Sequence, residues 1–505
     1  MTSHANLFNL FRSRFPSDLT ATLLEVPQER SWSYADLETE TARLARFLAA
    51  SGVQPGDRVV AYVDKSPAVL LLYLACLRGG YIYLPLNPSY TRRELAYFLA
   101  DAEPRVIVCR PAAYAVLQDL CRDTDCHLYT LDHQGTGTLV DASRPYAPDF
   151  PVVDCQADDI AAILYTSGTT GRPKGAMLTH DNLASNALAL HAAWGWQPGD
   201  VLLHTLPVYH AHGLFVACHC ALLNGSKMVF LPAFEAATVL ALLPQATVHM
   251  GVPTYYTRLL QQPGLNREVC RAMRLFISGS APLLERTFNE FRDRTGHTIL
   301  ERYGMTETQM NTSNPLQGER RAGTVGLPLP GVAVRIVNED LAEVPVGETG
   351  QLLVQGRNVF KGYWRLPEQT AQEFTDAGYF KTGDLAKLDT QGYITLVGRA
   401  KDLVITGGLN VYPKEVEEAL NAIEGIAESA VIGIPDADFG EAVTAIVVRE
   451  PGREALTAAV ILDRLQGTLA PFKLPKQVFF SDQLPLNAMG KVQKNVLREQ
   501  CARRE

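Results

Sequence analysis

Short apolar runs alternate with helix-like stretches over residues 1–150, and again from 160 to about 330. Residues 58–63 and 105–109 read as strands. Residues 67–77 and 91–99 carry apolar positions at helical spacing, and Thr91 stands at the N-cap of the second. Further strands are predicted near 201–206, 227–231, 246–250 and 273–277, each followed by a helix or a motif. Residues 133–152, rich in Gly, Thr, Pro and Asp, read as a surface connection. From about 331 to 397 the pattern changes to short alternating strands with glycine turns, such as 332–337 and 393–397, which predicts a small β-rich subdomain. A boundary is expected at Gly398-Arg399-Ala400-Lys401-Asp402. Beyond it come a helix over 414–422 opened by Pro413, strands at 429–434 and 442–448, and another helix. The expected fold is α/β: a large N-terminal domain, 1–398, of layered α/β subdomains plus the β-rich subdomain, and a mobile C-terminal α+β domain, 399–505. There is no internal repeat.

Composition narrows this picture. A chain of 505 residues suits two to four domains, and 47% hydrophobic residues supply large cores. A net charge of −8 argues against nucleic acid or an anionic membrane as partner, so any bound anion needs locally gathered cations. Nine cysteines, an odd number without a disulfide-like framework, point to a reducing compartment and a cytoplasmic location. No apolar run reaches the roughly 18 residues of a membrane span. Arg12 and Arg14, with no acid before Asp18, faintly suit a transit peptide; Leu7, Phe8, Leu10, Phe11 and Phe15 fit an amphipathic first helix better. The terminal Ala502-Arg503-Arg504-Glu505 is no peroxisomal address.

The densest chemistry lies in Tyr165-Thr166-Ser167-Gly168-Thr169-Thr170-Gly171-Arg172-Pro173-Lys174-Gly175, directly after the apolar run 160–164. Three glycines, four Ser/Thr hydroxyls and two cations share these eleven positions. Glycines let backbone N–H groups converge on an anion, and the hydroxyls and cations add donors and charge. Composition alone would allow a flexible loop, and the Gly-Lys-Ser/Thr ending of a Walker loop is absent. The ordered string Ser-Gly-Thr-Thr-Gly-x-Pro-Lys-Gly is more specific. It resembles the phosphate loop of the adenylate-forming superfamily of acyl-CoA synthetases, luciferases and adenylation domains.

Downstream motifs carry the resemblance along the chain. Gly279, Ser280 and Ala281 follow a strand, and Glu301-Arg302-Tyr303-Gly304-Met305-Thr306-Glu307 matches the family's Tyr-Gly-x-Thr-Glu motif. The resemblance implies that these two segments form the adenine pocket, with Tyr303 on the base, Thr306 at the α-phosphate and Glu307 holding Mg²⁺. A carboxylate beside a triphosphate needs a metal between the two negative charges. Asp384, in Tyr379-Phe380-Lys381-Thr382-Gly383-Asp384, is expected to accept from the ribose hydroxyls, and Arg399 to be the second ribose contact. Lys401 falls at the family's hinge. Lys491, in Asn487-Ala488-Met489-Gly490-Lys491, falls where the family places the cation that stabilises adenylation. Gly407, Gly408 and Leu409 fall on the CoA side. Thr406 stands where many members have Lys, and Leu486 where a basic residue is common. ATP, Mg²⁺ and CoA are thus implied, and Lys491 becomes a candidate for a regulatory lysine acetyltransferase, since acetylation removes its charge.

His204, His210, His212, Cys218, His219 and Cys220 crowd one region. Their spacing fits no common Cys/His zinc module. Pro207-Val208-Tyr209-His210-Ala211-His212-Gly213 is more similar to the family turn that gates the acyl pocket. Gly251 to Leu260 reads as a strand end turning into a helix, with Arg258 among apolar residues. Arg258 either snorkels to solvent or pairs bidentately with a second carboxylate in the pocket. With these stretches the chain resembles malonyl-CoA synthetases over essentially its whole length. That resemblance implies malonate as substrate, Arg258 as the clamp on its free carboxylate, His210, His212, Ser278 and Met305 around a small polar pocket, and Arg302 as a nearby second cation. Competing readings are a short-chain or aryl monocarboxylate–CoA ligase, with Phe215 and Val216 lining the pocket, an adenylation module that loads a carrier protein, and a catalytically silent nucleotide sensor.

Overall fold

The computed structural model describes residues 5–166, 173–407, 409–436, 439–487 and 490–502. By compactness the chain divides into two units. One comprises Met1–Gly279, Leu283–Ala333 and Gln355–Gly378; the other comprises Ser280–Pro282, Val334–Val354 and Tyr379–Glu505.

The first unit holds two large sheets. In the seven-stranded one, Gly362–Tyr363 lies at one edge, followed by Lys174–Thr179, Ile160–Thr166, Ile82–Pro85, Arg58–Tyr62, Val106–Cys109 and His127–Thr130. Val106–Cys109 is buried at every position. A strand covered on both faces needs such a continuous apolar run rather than alternation. The helix Pro67–Gly79 is likewise buried at every position, as a helix apolar all round must be.

In the nine-stranded sheet, Val201–His204, Val248–Gly251, Leu275–Ser278 and Leu300–Met305 run parallel as successive neighbours. Parallel strands bring their C-terminal ends to one edge, where α/β sheets place their ligand sites. The residues after His204, Gly251, Ser278 and Met305 are therefore gathered by the topology.

The predicted helices are present, as Leu7–Arg12, Pro67–Gly79 and Arg92–Ala102. Thr91 and Glu94 form a capping box on the last. Residues 133–152 are not all connection. Thr138–Ser143 is helical, with Leu139 and Ser143 buried. Six residues give less than two helical turns of periodicity, too little to stand out among turn-forming neighbours.

A four-stranded sheet runs in the order Val332–Val337, Gly350–Gly356, Phe380–Leu388, Ile394–Arg399. In the C-terminal region a long antiparallel pair, Ile426–Asp436 with Gly440–Arg449, is extended by the hairpin Val404–Thr406 and Leu409–Val411. Gln477–Phe480 joins it in parallel. Val404, Val411, Val416, Leu420, Val431 and Val443 are among the buried residues of its core. All nine cysteines are free thiols. Among the described residues no helix is long and apolar enough to cross a membrane.

Candidate active site

The phosphate-loop string is framed by the antiparallel strands Ile160–Thr166 and Lys174–Thr179, with Thr166 opposite Lys174. Ser167, Gly168, Thr169, Thr170 and Gly171 lie outside the described residues. Thr166 Oγ1 is buried with no hydrogen-bond partner among the described residues, so a donor waits at the mouth of the string. Lys174 is only 7% exposed. Its Nζ lies 3.2 Å from Glu373 Oε1 and 4.1 Å from the Tyr363 ring centroid. Gly175 is required by packing, because a Cβ there would come within 2.9 Å of Ile163 Cγ2.

Thr306, Glu307 and Thr308 form the turn between Leu300–Met305 and Gln309–Ser313. The turn is tight: Gln309 has φ 51°, and a Cβ on Gly304 would meet the Gln309 carbonyl oxygen at 2.0 Å. Residues 358–363 hold it from outside. Phe360 N donates to Glu307 O (2.7 Å), Asn358 Nδ2 to Thr308 O (2.6 Å) and the Tyr363 hydroxyl to Glu307 Oε1 (3.2 Å). Tyr363 thus touches both Lys174 and Glu307. Sequence reasoning passed over it, since it lies outside every motif quoted above.

Ser278 ends its strand opposite Glu301, whose Oε1 accepts from Leu283 N at 3.2 Å. Next to it, Gly279 leaves room for a guanidinium. A Cβ there would lie 2.5 Å from Arg302 Cζ. Arg302 is 3% exposed, and its Nε and Nη2 have no hydrogen-bond partner among the described residues; nor does the buried Ser278 Oγ. Burial pushes the Arg302 guanidinium down to about 10, partly offset by Tyr256 and Glu301. His212 is held neutral, well below the usual imidazole range, by burial first and then by Arg302 and His210. Burial also depresses His249, to about 4. The result is a buried set of neutral histidines, one hydroxyl and one cation, a chemistry suited to a small anion.

Arg258 is exposed, and its charge acts on Tyr255. It lies on the exposed face of Pro253–Leu260, whose buried face is Tyr256, Leu259 and Leu260. The helix had to bury its apolar positions, and Arg258 is on the opposite side. His210 is half-buried, and its Nδ1 accepts from His212 N at 3.4 Å. The crowded His/Cys region has separate hydrogen bonds instead of a common centre. His219 meets the Tyr73 hydroxyl at 2.8 Å, and among the described residues no group of three His, Cys, Asp or Glu could hold a metal.

In the second unit Asp384 and Arg399 face each other on paired strands, 2.6 Å apart from Oδ1 to Nε, with Asp384 5% exposed. Gly383 at φ 70° and the bond from Asp384 N to Thr382 Oγ1 (3.0 Å) fix the backbone there. Lys401 is exposed in the turn Ala400–Asp402, and Arg498 Nη2 holds Asp402 at 2.9 Å. Gly407, at φ 57°, donates its N–H to Phe439 O (2.8 Å). Ile405, Leu409 and Phe439 around it are 52%, 48% and 45% exposed, and Gly408 lies outside the described residues. Lys491 is exposed in a loop closed by mutual bonds with Asn487.

Residues 11–364 match the AMP-binding enzyme family, and residues 415–491 its C-terminal domain. The chain belongs to the AMP-binding enzyme family. The crystal structure of ATP-bound MatB from Rhodopseudomonas palustris is 53% identical, with a TM-score of 0.96, covering 98% of this chain and 99% of that one. A malonate–CoA ligase of Arabidopsis thaliana is 34% identical over 94% of this chain and 86% of its own length. A feruloyl-CoA synthase of Amycolatopsis is 35% identical over 92% and 93%. This AMP-binding enzyme is an AMP-forming acyl-CoA synthetase, an acid–thiol ligase of the adenylate-forming superfamily. A surface cavity of about 560 Å³, lined by Tyr114, Asp119, Cys121, Arg122 and Cys126 among others, contains none of the motif residues. The site is therefore placed by the motif residues and the buried polar groups beside them.

Proposed function

We propose that this acyl-CoA synthetase uses malonate. Malonate and ATP give malonyl-AMP and pyrophosphate, and CoA then gives malonyl-CoA and AMP. The observation that carries the reading is the buried Arg302 guanidinium against Gly279, beside Ser278. A buried cation with unused donors is strongly unfavourable unless a ligand supplies the anion. A free carboxylate on the acid does so; a monocarboxylate would leave it unpaired. The likeness to a malonate–CoA ligase points the same way.

The remaining groups take complementary roles. Thr166, Lys174 and the intervening loop bind phosphate. Tyr303 and Gly304 bind adenine, Thr306 the α-phosphate, and Asp384 with Arg399 the ribose. Glu307 suits Mg²⁺, which takes one or two protein carboxylates and completes its shell with phosphate and water. The one carboxylate of this turn, Glu307, is of the kind that demand describes. Lys491 serves adenylation. The Gly407–Leu409 hairpin, with its exposed apolar rim, serves thioester formation, and Lys401 acts as the hinge between the two.

ATP–pyrophosphate exchange with malonate, methylmalonate, succinate, acetate, butyrate and 4-coumarate tests the substrate. Malonate is expected to lead, with methylmalonate close behind, since one methyl changes binding by only about 1–3 kcal/mol. Arg302→Met should lower malonate exchange relative to butyrate by about 10²-fold or more, the scale of a lost buried charge pair. Arg258→Ala, at an exposed position, should change that ratio only a few-fold. A leading monocarboxylate with an indifferent Arg302→Met would overturn the assignment in favour of a monocarboxylate–CoA ligase.

A further inference from the structure

Behind the histidine turn lies a cation that the reaction above does not use. Lys65 follows the strand Arg58–Tyr62. Its Nζ lies 2.8 Å from His204 Nδ1, 3.0 Å from the His204 carbonyl oxygen and 4.3 Å from the centroid of the buried Phe230 ring. Among the described residues the acidic neighbour acting on it is Cys218, not a carboxylate. Burial pulls this ammonium well below the ordinary lysine range. Such a group is retained only if its hydrogen bonds do something.

The far side of the His204 ring says what. His204 Nε2 lies 2.9 Å from the Gly213 carbonyl oxygen, and Cys218 Sγ lies 3.4 Å from the same nitrogen. A carbonyl only accepts, so Nε2 carries the proton. His204 is itself held neutral by burial and then by Lys65, so Nδ1 is the bare nitrogen and Lys65 donates to it. The two contacts therefore require the same tautomer.

Gly213 belongs to the π-helical turn His212–Cys218. Such turns are rare and often functional. The turn has no slack at this point, because a Cβ on Gly213 would meet the Pro207 carbonyl oxygen at 2.1 Å. Holding the Gly213 carbonyl thus holds its neighbour His212, the histidine that feels the charge of Arg302.

We propose that Lys65 is a positioning residue of the acid pocket, acting through the tautomer of His204 on the Gly213 carbonyl and so on His212. This deepens the acid-pocket assignment above and rests on it. The test combines a spectroscopic and a kinetic readout. In protein labelled with ¹⁵N in its histidine rings, His204 should give the signature of a protonated Nε2 and a hydrogen-bonded bare Nδ1. Lys65→Met should lose the Nδ1 hydrogen-bond signature. It should also raise the KM for the acid about tenfold while leaving the KM for ATP in place. His204→Gln keeps an N–H able to reach Gly213 without needing the lock, so Lys65→Met should add little in that background.

A protonated Nδ1 on His204 in the wild type would overturn the proposal even if Lys65→Met does not fold. So would equal changes in KM for acid and ATP, or strictly additive effects of the two substitutions. The kinetic arm uses whichever acid gives the strongest exchange. A wrong substrate assignment therefore shows in the exchange series and leaves the result on Lys65 readable.

Discussion

Tyr363 joins two charges that act on the same ligand in the proposed reaction. Its ring carries Lys174 and its hydroxyl donates to Glu307. Tyr363→Phe keeps the ring and removes the donor, so it separates the two contacts. A hydrogen bond to a charged group contributes about 1.5–3 kcal/mol. We expect Tyr363→Phe to raise the Mg²⁺ concentration for half-maximal ATP–pyrophosphate exchange about tenfold, with far less effect on stability. An unchanged Mg²⁺ titration would mean that the hydroxyl does not tune the Glu307 carboxylate. Residue identity alone could not reveal this pairing, because Tyr363 lies 56 positions from Glu307. The two arginines make the same point. Arg258 sits beside apolar residues and Arg302 beside Glu301, yet it is Arg302, against Gly279 of the neighbouring strand, that is buried and Arg258 that is exposed.

Elements were legible where their signals are local. The Thr91–Glu94 capping box can be read from four consecutive positions, and the helix Arg92–Ala102 begins there. Thr91→Ala should cost about 1 kcal/mol. Amide hydrogen exchange in the first turn of this helix should therefore quicken about fivefold, with little change in the strands. Unchanged exchange would show that tertiary packing, not the cap, holds this end. The π-helix His212–Cys218 was not legible. All seven of its residues are buried, so no polar face records the period, and an α-helix fits the same letters. Its close packing, Gly213 against the Pro207 carbonyl with His204 on the Gly213 carbonyl, leaves no mark on the side-chain period.

For the whole molecule, the C-terminal ends of parallel strands collect motifs that lie far apart in sequence, and the same layering buries histidines. Burial lowers His180 to about 4, His249 to about 4 and His219 to about 3, from 6.5. Each is depressed in the folded state, so the unfolded chain binds more protons as pH falls from 6.5 toward 4. Their stabilisation is fully present above 6.5 and is lost through that window. The denaturant midpoint should be flat from pH 7.5 to 6.5 and fall steadily below it; a midpoint rising toward pH 5 would contradict the burial of these rings. The division of labour between the two half-reactions is the larger test at this scale. Lys491 is an exposed cation in the second unit, in a loop closed by Asn487, and the Gly407–Leu409 hairpin belongs to the same unit. If one serves adenylation and the other thioester formation, removing the cation must damage only the first. Lys491→Ala should cut malonyl-AMP formation by about 10²–10³, the usual loss for a preorganised electrostatic group. Thioester formation from supplied malonyl-AMP and CoA should persist near the wild-type rate. Equal loss in both half-reactions would mean that Lys491 serves a site common to both, and the hinge assigned to Lys401 would lose its purpose.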